Sequence, residues 1–221
     1  MKRLLDVVLS GLGLLLLSPL LVVVAALVKF GSPGPALFRQ ERVGRGFHRF
    51  QILKFRTMVQ DAPQRGGPIT FGADPRITPL GAVLRKTKLD ELPQLINVWT
   101  GEMSLVGPRP EVPRYVEMFH EDYAEILQVR PGITDLASIR YRDEATVLGT
   151  AANPEEEYAC RVLPEKIRLA KEYVARRSMG LDLAIIFGTL FGLAHDRAPR
   201  WPGNVSRKKE PAATGEQPHS R

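Results

Sequence analysis

The chain opens on an unbroken apolar run, passes into polar–apolar alternation, and then settles into helical spacing punctuated by Gly-Pro turns. Val7 to Val28, VVLSGLGLLLLSPLLVVVAALV, carries no charge over 22 positions, roughly what a helix needs to cross a bilayer. Ser18-Pro19 stands in its middle. Proline removes a backbone hydrogen bond and crowds the preceding turn, so the run is expected to kink or break there. Lys2 and Arg3 precede the run, and Lys29, Arg39, Arg42 and Arg45 follow it, so the positive-inside rule places both ends in the cytoplasm. A re-entrant helix, entering and leaving by one face, satisfies both flanks. A kinked span and a cleaved signal peptide are the alternatives, and the second fits poorly with a following chain that reads as cytosolic.

After Gly31 to Pro35, the stretch ALFRQERVGRGFHRFQILKFRTM alternates around Gly44-Arg45-Gly46 and predicts a β-hairpin. Gln60 to Gly81 is rich in Gly and Pro and reads as a long loop of the kind that serves as a lid. In TKLDELPQL and the residues after it, Leu89, Leu92, Leu95 or Ile96, and Trp99 fall at helical spacing. Pro93 is comfortable only in a first turn, so this helix is expected to begin near Asp90. EVPRYVEMFHEDYAEILQV has helical spacing and ends at the turn VRPGIT. Pro164 opens the amphipathic helix EKIRLAKEYVARRS, and Leu181 to Ala194 is apolar nearly all round but too short to span, hence a core or interfacial helix. From Ala198 onward Pro, Gly, Ser and charge predict a disordered tail. The pattern is one compact α/β (α+β) domain, residues 31–197, between a membrane helix, 1–30, and a polar tail, 198–221.

Charge narrows the chemistry without choosing it. The net charge of +7 over 221 residues implies an anionic partner, which nucleic acid, acidic headgroups or phosphorylated small molecules all satisfy. The single cysteine, Cys160, and four scattered histidines exclude a disulfide framework and a Cys-based zinc site. Between Arg39 and Arg56 six residues are basic and only Glu41 is acidic, and strand alternation puts Lys54 and Arg56 on one face, suited to a phosphate or to lipid headgroups. The paired acids Asp90 and Glu91, preceded by Arg85, Lys86 and Lys88, have two readings. Acids at a helix start can serve as caps. A helix N-terminus flanked by cations also attracts anions, an aspartate can attack phosphorus, and an adjacent glutamate can hold magnesium. No Walker sequence is present, so phosphates would have to be held by arginines and metal.

KFRTM at Lys54 to Met58, LRKTKLDELPQLINVWTGEMSLVGPRP at Leu84 to Pro110, VRPGIT at Val129 to Thr134 and LDL at Leu181 to Leu183 together resemble the bacterial sugar transferase family, the monotopic polyprenyl-phosphate phosphoglycosyl transferases. The resemblance runs from the apolar start to about Ala194. It implies a monotopic enzyme on the cytoplasmic face of a bacterial inner membrane, with a re-entrant helix broken at Ser18-Pro19. It implies transfer of a sugar phosphate from a UDP-sugar to undecaprenyl phosphate with release of UMP, beginning a surface glycan. Asp90 would be the nucleophile and Glu91 the ligand of Mg2+; Lys54, Arg56, Arg85, Arg109 and Arg142 would bind substrate. Acidic lipids are expected partners and nucleic acid is not; a homodimer is compatible with the reading. After PGIT the chain departs from the usual continuation, reading DLASIRYRDEATVLG, which leaves the sugar open. The rivals are a non-catalytic membrane module that binds acidic lipid or nucleic acid, and a conventional glycosyltransferase that releases UDP.

Overall fold

The computed structural model describes residues 1–67, 70, 74–140 and 148–194. Arg142 and the tail from 198 onward lie outside the described residues.

Helix α1, Lys2–Gly31, is the one helix among the described residues long and apolar enough to cross a membrane. It runs through Pro19 without interruption, which corrects the expected break at Ser18-Pro19. The physical reason lies one residue earlier. The carbonyl that an amide at position 19 would have bonded is that of Leu15, and the Ser18 hydroxyl donates to it at 2.8 Å. Asp6, Ser10, Val24 and Val28 are buried along one stripe of α1, spaced as one helical face requires. On the other side Leu15, Leu16 and Val22 are about 70% exposed.

Both ends of α1 are fastened to the same body. At the start, Lys2 Nζ donates to Asp182 Oδ2 at 2.5 Å, to Tyr173 Oη at 3.0 Å and to the Val106 carbonyl at 2.9 Å. Arg3 donates to the carbonyls of Val98 and Trp99. Asp6 accepts from Ser104 Oγ and the Leu105 amide. At the far end, Val24 and Val28 pack with Phe55 and Leu84.

The hairpin forms as the alternation predicts, β1 Leu37–Val43 against antiparallel β2 Arg49–Phe55, in register from Leu37↔Phe55 to Val43↔Arg49. Gly46 in its turn has φ 64°, a conformation glycine adopts without steric cost. Phe50 and Ile52 face inward onto Val98 and Met103. The expected loop from Gln60 to Gly81 is only partly loop, because it contains α2, Ala62–Arg65, and the start of α3, Pro79–Thr87. Thr78 caps α3 by accepting from the Gly81 amide, and Pro79 supplies the preset first turn.

A 3-10 turn, Leu89–Glu91, leads into α4, Gln94–Thr100. Then come β3 Ser104–Val106, α5 Pro113–Met118, α6 His120–Ile126, β4 Gly132–Thr134 and α7 Leu136–Arg140. The chain continues with α8 Pro154–Glu157, a π turn Tyr158–Val162, α9 Leu163–Arg176 and α10 Met179–Ala194. The VRPGIT stretch, expected as a turn, also supplies β4, which pairs in parallel with β3 through Ser104↔Gly132 and Val106↔Thr134. Tyr115, Ile126, Val162 and Leu163 centre the largest apolar cluster, which joins the end of the hairpin to α5, α6 and α9.

Glu111 ties β1 to the turn that follows β3. Its Oε1 accepts from Arg42 Nη1 at 2.9 Å, and its Oε2 accepts from Tyr158 Oη at 2.7 Å. Burial pushes the Glu111 carboxyl upward, but Arg42, Lys166 and Tyr158 together hold it below the usual glutamate range. A carboxyl so depressed stabilises the fold above its unfolded pKa, and that contribution is lost as pH falls through the folded value. Glu111→Gln is therefore expected to cost about 3 kcal/mol near neutrality, the penalty for leaving a buried partner uncompensated. In urea titrations the gap between wild type and variant should narrow as pH drops below about 4.

Candidate active site

The site forms where three short segments converge. Strand β2 delivers Lys54, the 3-10 turn delivers Asp90 and Glu91, and the Gly-Pro-Arg-Pro turn after β3 delivers Arg109. Local backbone chemistry sets each of them. Helix α3 ends at Lys88 in the left-handed conformation, φ 60°, with its amide bonded to the Arg85 carbonyl, so the chain reverses directly into the acids. Gly81 allows α3 to lie against Thr57: a Cβ there would stand 2.0 Å from the Thr57 carbonyl oxygen. The Arg109 turn is fixed by an equally close approach, since a Cβ on Gly132 would meet the Gly107 amide nitrogen at 2.1 Å. The two glycine motifs of the sequence are thus one backbone crossing.

Glu91 is the hub. Its Oε1 accepts from Lys54 Nζ at 2.8 Å and from Arg109 Nη2 at 2.5 Å. Burial alone would raise the Glu91 pKa, but the Arg109 and Lys54 charges outweigh it and hold the carboxyl well below the ordinary glutamate range. Lys54 is drawn below the usual lysine range by burial, against the opposing pull of Glu91. Among the described residues Glu91 Oε2 takes no hydrogen bond.

Asp90 is buried at 7% exposure, and its Oδ1 has no hydrogen-bond partner. Neither the 3-10 turn nor α4 has a side-chain cap, so the capping reading of Asp90 is not realised. Burial and the neighbouring Glu91 charge raise its pKa, and Lys54, Lys88 and Arg85 pull the other way. A carboxylate without the bonds that would tame it is a better nucleophile than a capped one.

Arg85 lies beside this pair. Its Nε donates to Thr57 Oγ1 at 2.8 Å, and its charge acts on Asp90, Asp74 and Glu91. Arg56 is placed elsewhere, which departs from the substrate-binding role expected of it. Its guanidinium is spent on carbonyls at and beyond the end of α1, those of Val28 at 3.1 Å, Ser32 at 2.9 Å and Pro33. β2 ends at Phe55, so the alternation that would have put Arg56 beside Lys54 does not extend to it. Asp182 is engaged elsewhere, pairing with Lys2 and accepting from Tyr173 Oη at 2.7 Å.

Sequence reasoning missed Asn97. It is buried, its Oδ1 accepts from the Leu53 amide at 3.0 Å, and its Nδ2 donates to the Gln51 carbonyl at 2.8 Å and Glu102 Oε2 at 2.7 Å. The carboxamide thus pairs with the edge of β2 as another strand would, and fixes α4 one residue away from Lys54. A polar residue on the buried face of LINVWT was the available signal. Asn97→Ala strands both backbone groups of β2, and a loss of about 2 kcal/mol in chemical denaturation is expected.

A buried carboxylate beside a glutamate ringed by cations, in a chain with one long apolar helix, is suited to group transfer from an anionic substrate. The comparisons agree with that class. The model of the bacterial sugar transferase family matches residues 1–196, and the chain belongs to this family. It is 40% identical over 199 residues to UDP-glucose:undecaprenyl-phosphate glucose-1-phosphate transferase of Caulobacter vibrioides, covering 86% of this chain and 68% of that one. UDP-N-acetylgalactosamine-undecaprenyl-phosphate N-acetylgalactosaminephosphotransferase of Aeromonas hydrophila is 39% identical over 194 residues, 86% of this chain but 42% of its own length. Exopolysaccharide production protein PSS of Rhizobium leguminosarum bv. phaseoli is 40% identical over 199 residues and is covered over 93% of its length.

Proposed function

We propose that the chain is a phosphoglycosyl transferase that moves a sugar phosphate from a UDP-sugar to undecaprenyl phosphate and releases UMP. The observation that carries this reading is the contrast between the adjacent acids, Asp90 buried with an unpartnered oxygen and Glu91 ion-paired to Lys54 and Arg109. An Asp90 oxygen attacks the phosphorus that bears the sugar. The bond from that phosphorus to the bridging oxygen breaks, and UMP departs with the oxygen and its electron pair. An oxygen of the lipid phosphate then attacks the same phosphorus, and Asp90 leaves as a carboxylate. Each displacement leaves the site free for the next substrate, so the kinetics are ping-pong.

Lys54, Arg85 and Arg109 hold phosphate oxygens in this scheme, the arginines through their planar fork. Glu91 fits magnesium: it is a hard oxygen donor with one oxygen not hydrogen-bonded among the described residues. Those residues hold no cluster of three or more metal-ligating side chains, a pattern suited to an ion completed by substrate phosphates and water. Magnesium bound there would offset the repulsion between carboxylate and diphosphate. Before substrate binds, Lys54 and Arg109 neutralise Glu91 in its place.

The protein rests on the cytoplasmic leaflet with α1 re-entrant, turned back by a bend at Pro19 inside the continuous helix. Support comes from the anchoring of both helix ends on one body, through Lys2, Arg3 and Asp6 at one end and Val28 with Arg56 at the other. A spanning helix would carry one end about 30 Å away, across the bilayer. The Ser18 bond to Leu15 satisfies within the helix a carbonyl that hydrocarbon could not. Exposed Trp99, Leu183 and Phe187 extend the apolar surface beyond α1.

The test is product identity. Purified protein is incubated with undecaprenyl phosphate, magnesium and a panel of UDP-sugars that includes UDP-glucose and UDP-N-acetylgalactosamine. UMP from one or more donors is expected; UDP as the nucleotide product would identify a conventional glycosyltransferase instead. Lipid binding that is indifferent to Asp90 and Glu91, without either nucleotide product, would identify a binding module.

A further inference from the structure

One buried polar side chain has no role in the mechanism above. Gln94 is 1% exposed, and neither Oε1 nor Nε2 of its carboxamide has a hydrogen-bond partner. A buried amide without a partner costs stability, and folded proteins carry few of them. The next buried amide of the same helix gives the contrast. Asn97, three residues on, bonds to Leu53, Gln51 and Glu102, so α4 is well able to satisfy a carboxamide when its purpose is structural.

The place of Gln94 suggests what its purpose is. It is the first residue of α4, three residues after Glu91, and the 3-10 turn that carries Asp90 and Glu91 leads directly into it, so Gln94 stands one turn beyond the acids. Helical side chains lean toward the N-terminus, so the Gln94 carboxamide extends over the turn that carries the acids. On that turn Asp90 Oδ1 is itself buried and unpartnered. An acceptor on Asp90 and a donor on Gln94 are therefore both unspent within one helical turn.

We propose that Gln94 is a positioning residue for the nucleophile: in the substrate-loaded site its Nε2 donates to Asp90 Oδ1, holding that oxygen while Oδ2 attacks phosphorus. This rests on the phosphoglycosyl transfer reading. The amide touches neither the nucleotide nor the sugar, so it acts on the rate of attack and not on donor affinity.

The test is Gln94→Met, which keeps length and volume and removes both polar atoms. Three readings are compared with wild type: the thermal midpoint, the KM for the UDP-sugar that yields UMP, and the rate of the UMP burst from that UDP-sugar without lipid acceptor. The expected result is an unchanged or raised Tm, an unchanged KM, and a burst at least about tenfold slower. A structural role would give the opposite pattern, with the Tm lowered by several degrees. A burst within twofold of wild type, a lowered Tm, or a variant that does not fold each overturns the proposal, because it holds that the amide adds nothing to stability. Absence of a burst from wild type would instead bring down the transfer reading itself, and Gln94's assigned role with it.

Discussion

Asp90→Asn should leave a folded protein whose steady-state turnover is lower by roughly 10⁴-fold or more, as is seen when a covalent nucleophile is removed. The amide has almost the same shape but lacks the charge that attacks phosphorus in the proposed mechanism, in which Lys54, Arg109 and Arg85 would still bind donor. KM for the UDP-sugar should therefore change little while kcat collapses. Stability should move the other way. Burial and Glu91 raise the Asp90 pKa, so the folded state disfavours the ionised form, and a neutral side chain relieves that cost. Differential scanning fluorimetry should give a Tm equal to or above wild type. A variant both inactive and unfolded would show that Asp90 is a structural acid after all.

The second large effect lies away from the chemistry. Gly132→Ala should lower stability by about 4 kcal/mol, near the top of the range for single substitutions. For a domain of this size that corresponds to a fall in Tm of roughly 8–16 °C. A Cβ at this position would lie 2.1 Å from the Gly107 nitrogen and 2.5 Å from the Gly107 oxygen, and backbone atoms have no rotamer by which to move aside. The β3–β4 pair would have to separate, and with it the turn that carries Arg109. Activity should fall even at temperatures where the variant stays folded, because Arg109 reaches Glu91 only from that turn. A Tm within about 2 °C of wild type would show that the crossing can relax.

Periodicity made the hairpin and the amphipathic helix α9 legible, since both are local patterns of side chains facing one way. The acids and their cationic neighbours were legible as chemistry because adjacency in sequence was enough to bring them together. Features that depend on distant backbone were not. Nothing in VRPGIT by itself says that it pairs in parallel with the segment before Gly-Pro-Arg-Pro; the pairing depends on two glycines 25 residues apart that let two chains touch. Arg56 misled because it stands one residue past the end of β2, where strand alternation no longer governs direction. Pro19 does not end the helix because the Ser18 hydroxyl donates to the carbonyl that the proline leaves free. The buried amides of Gln94 and Asn97 look alike in sequence, and only their partners separate an anchor from a group left unspent.

On this mechanism Asp90 itself takes the sugar phosphate. The experiment exposes the protein to the active UDP-sugar and magnesium without undecaprenyl phosphate, quenches the mixture, digests it and weighs the peptides. Stoichiometric UMP is expected, with one peptide, containing Asp90, heavier by one sugar phosphate and the added mass discharged when undecaprenyl phosphate is supplied. Unmodified peptides, together with UMP that appears only when donor and lipid are both present, would rule out Asp90 as the nucleophile.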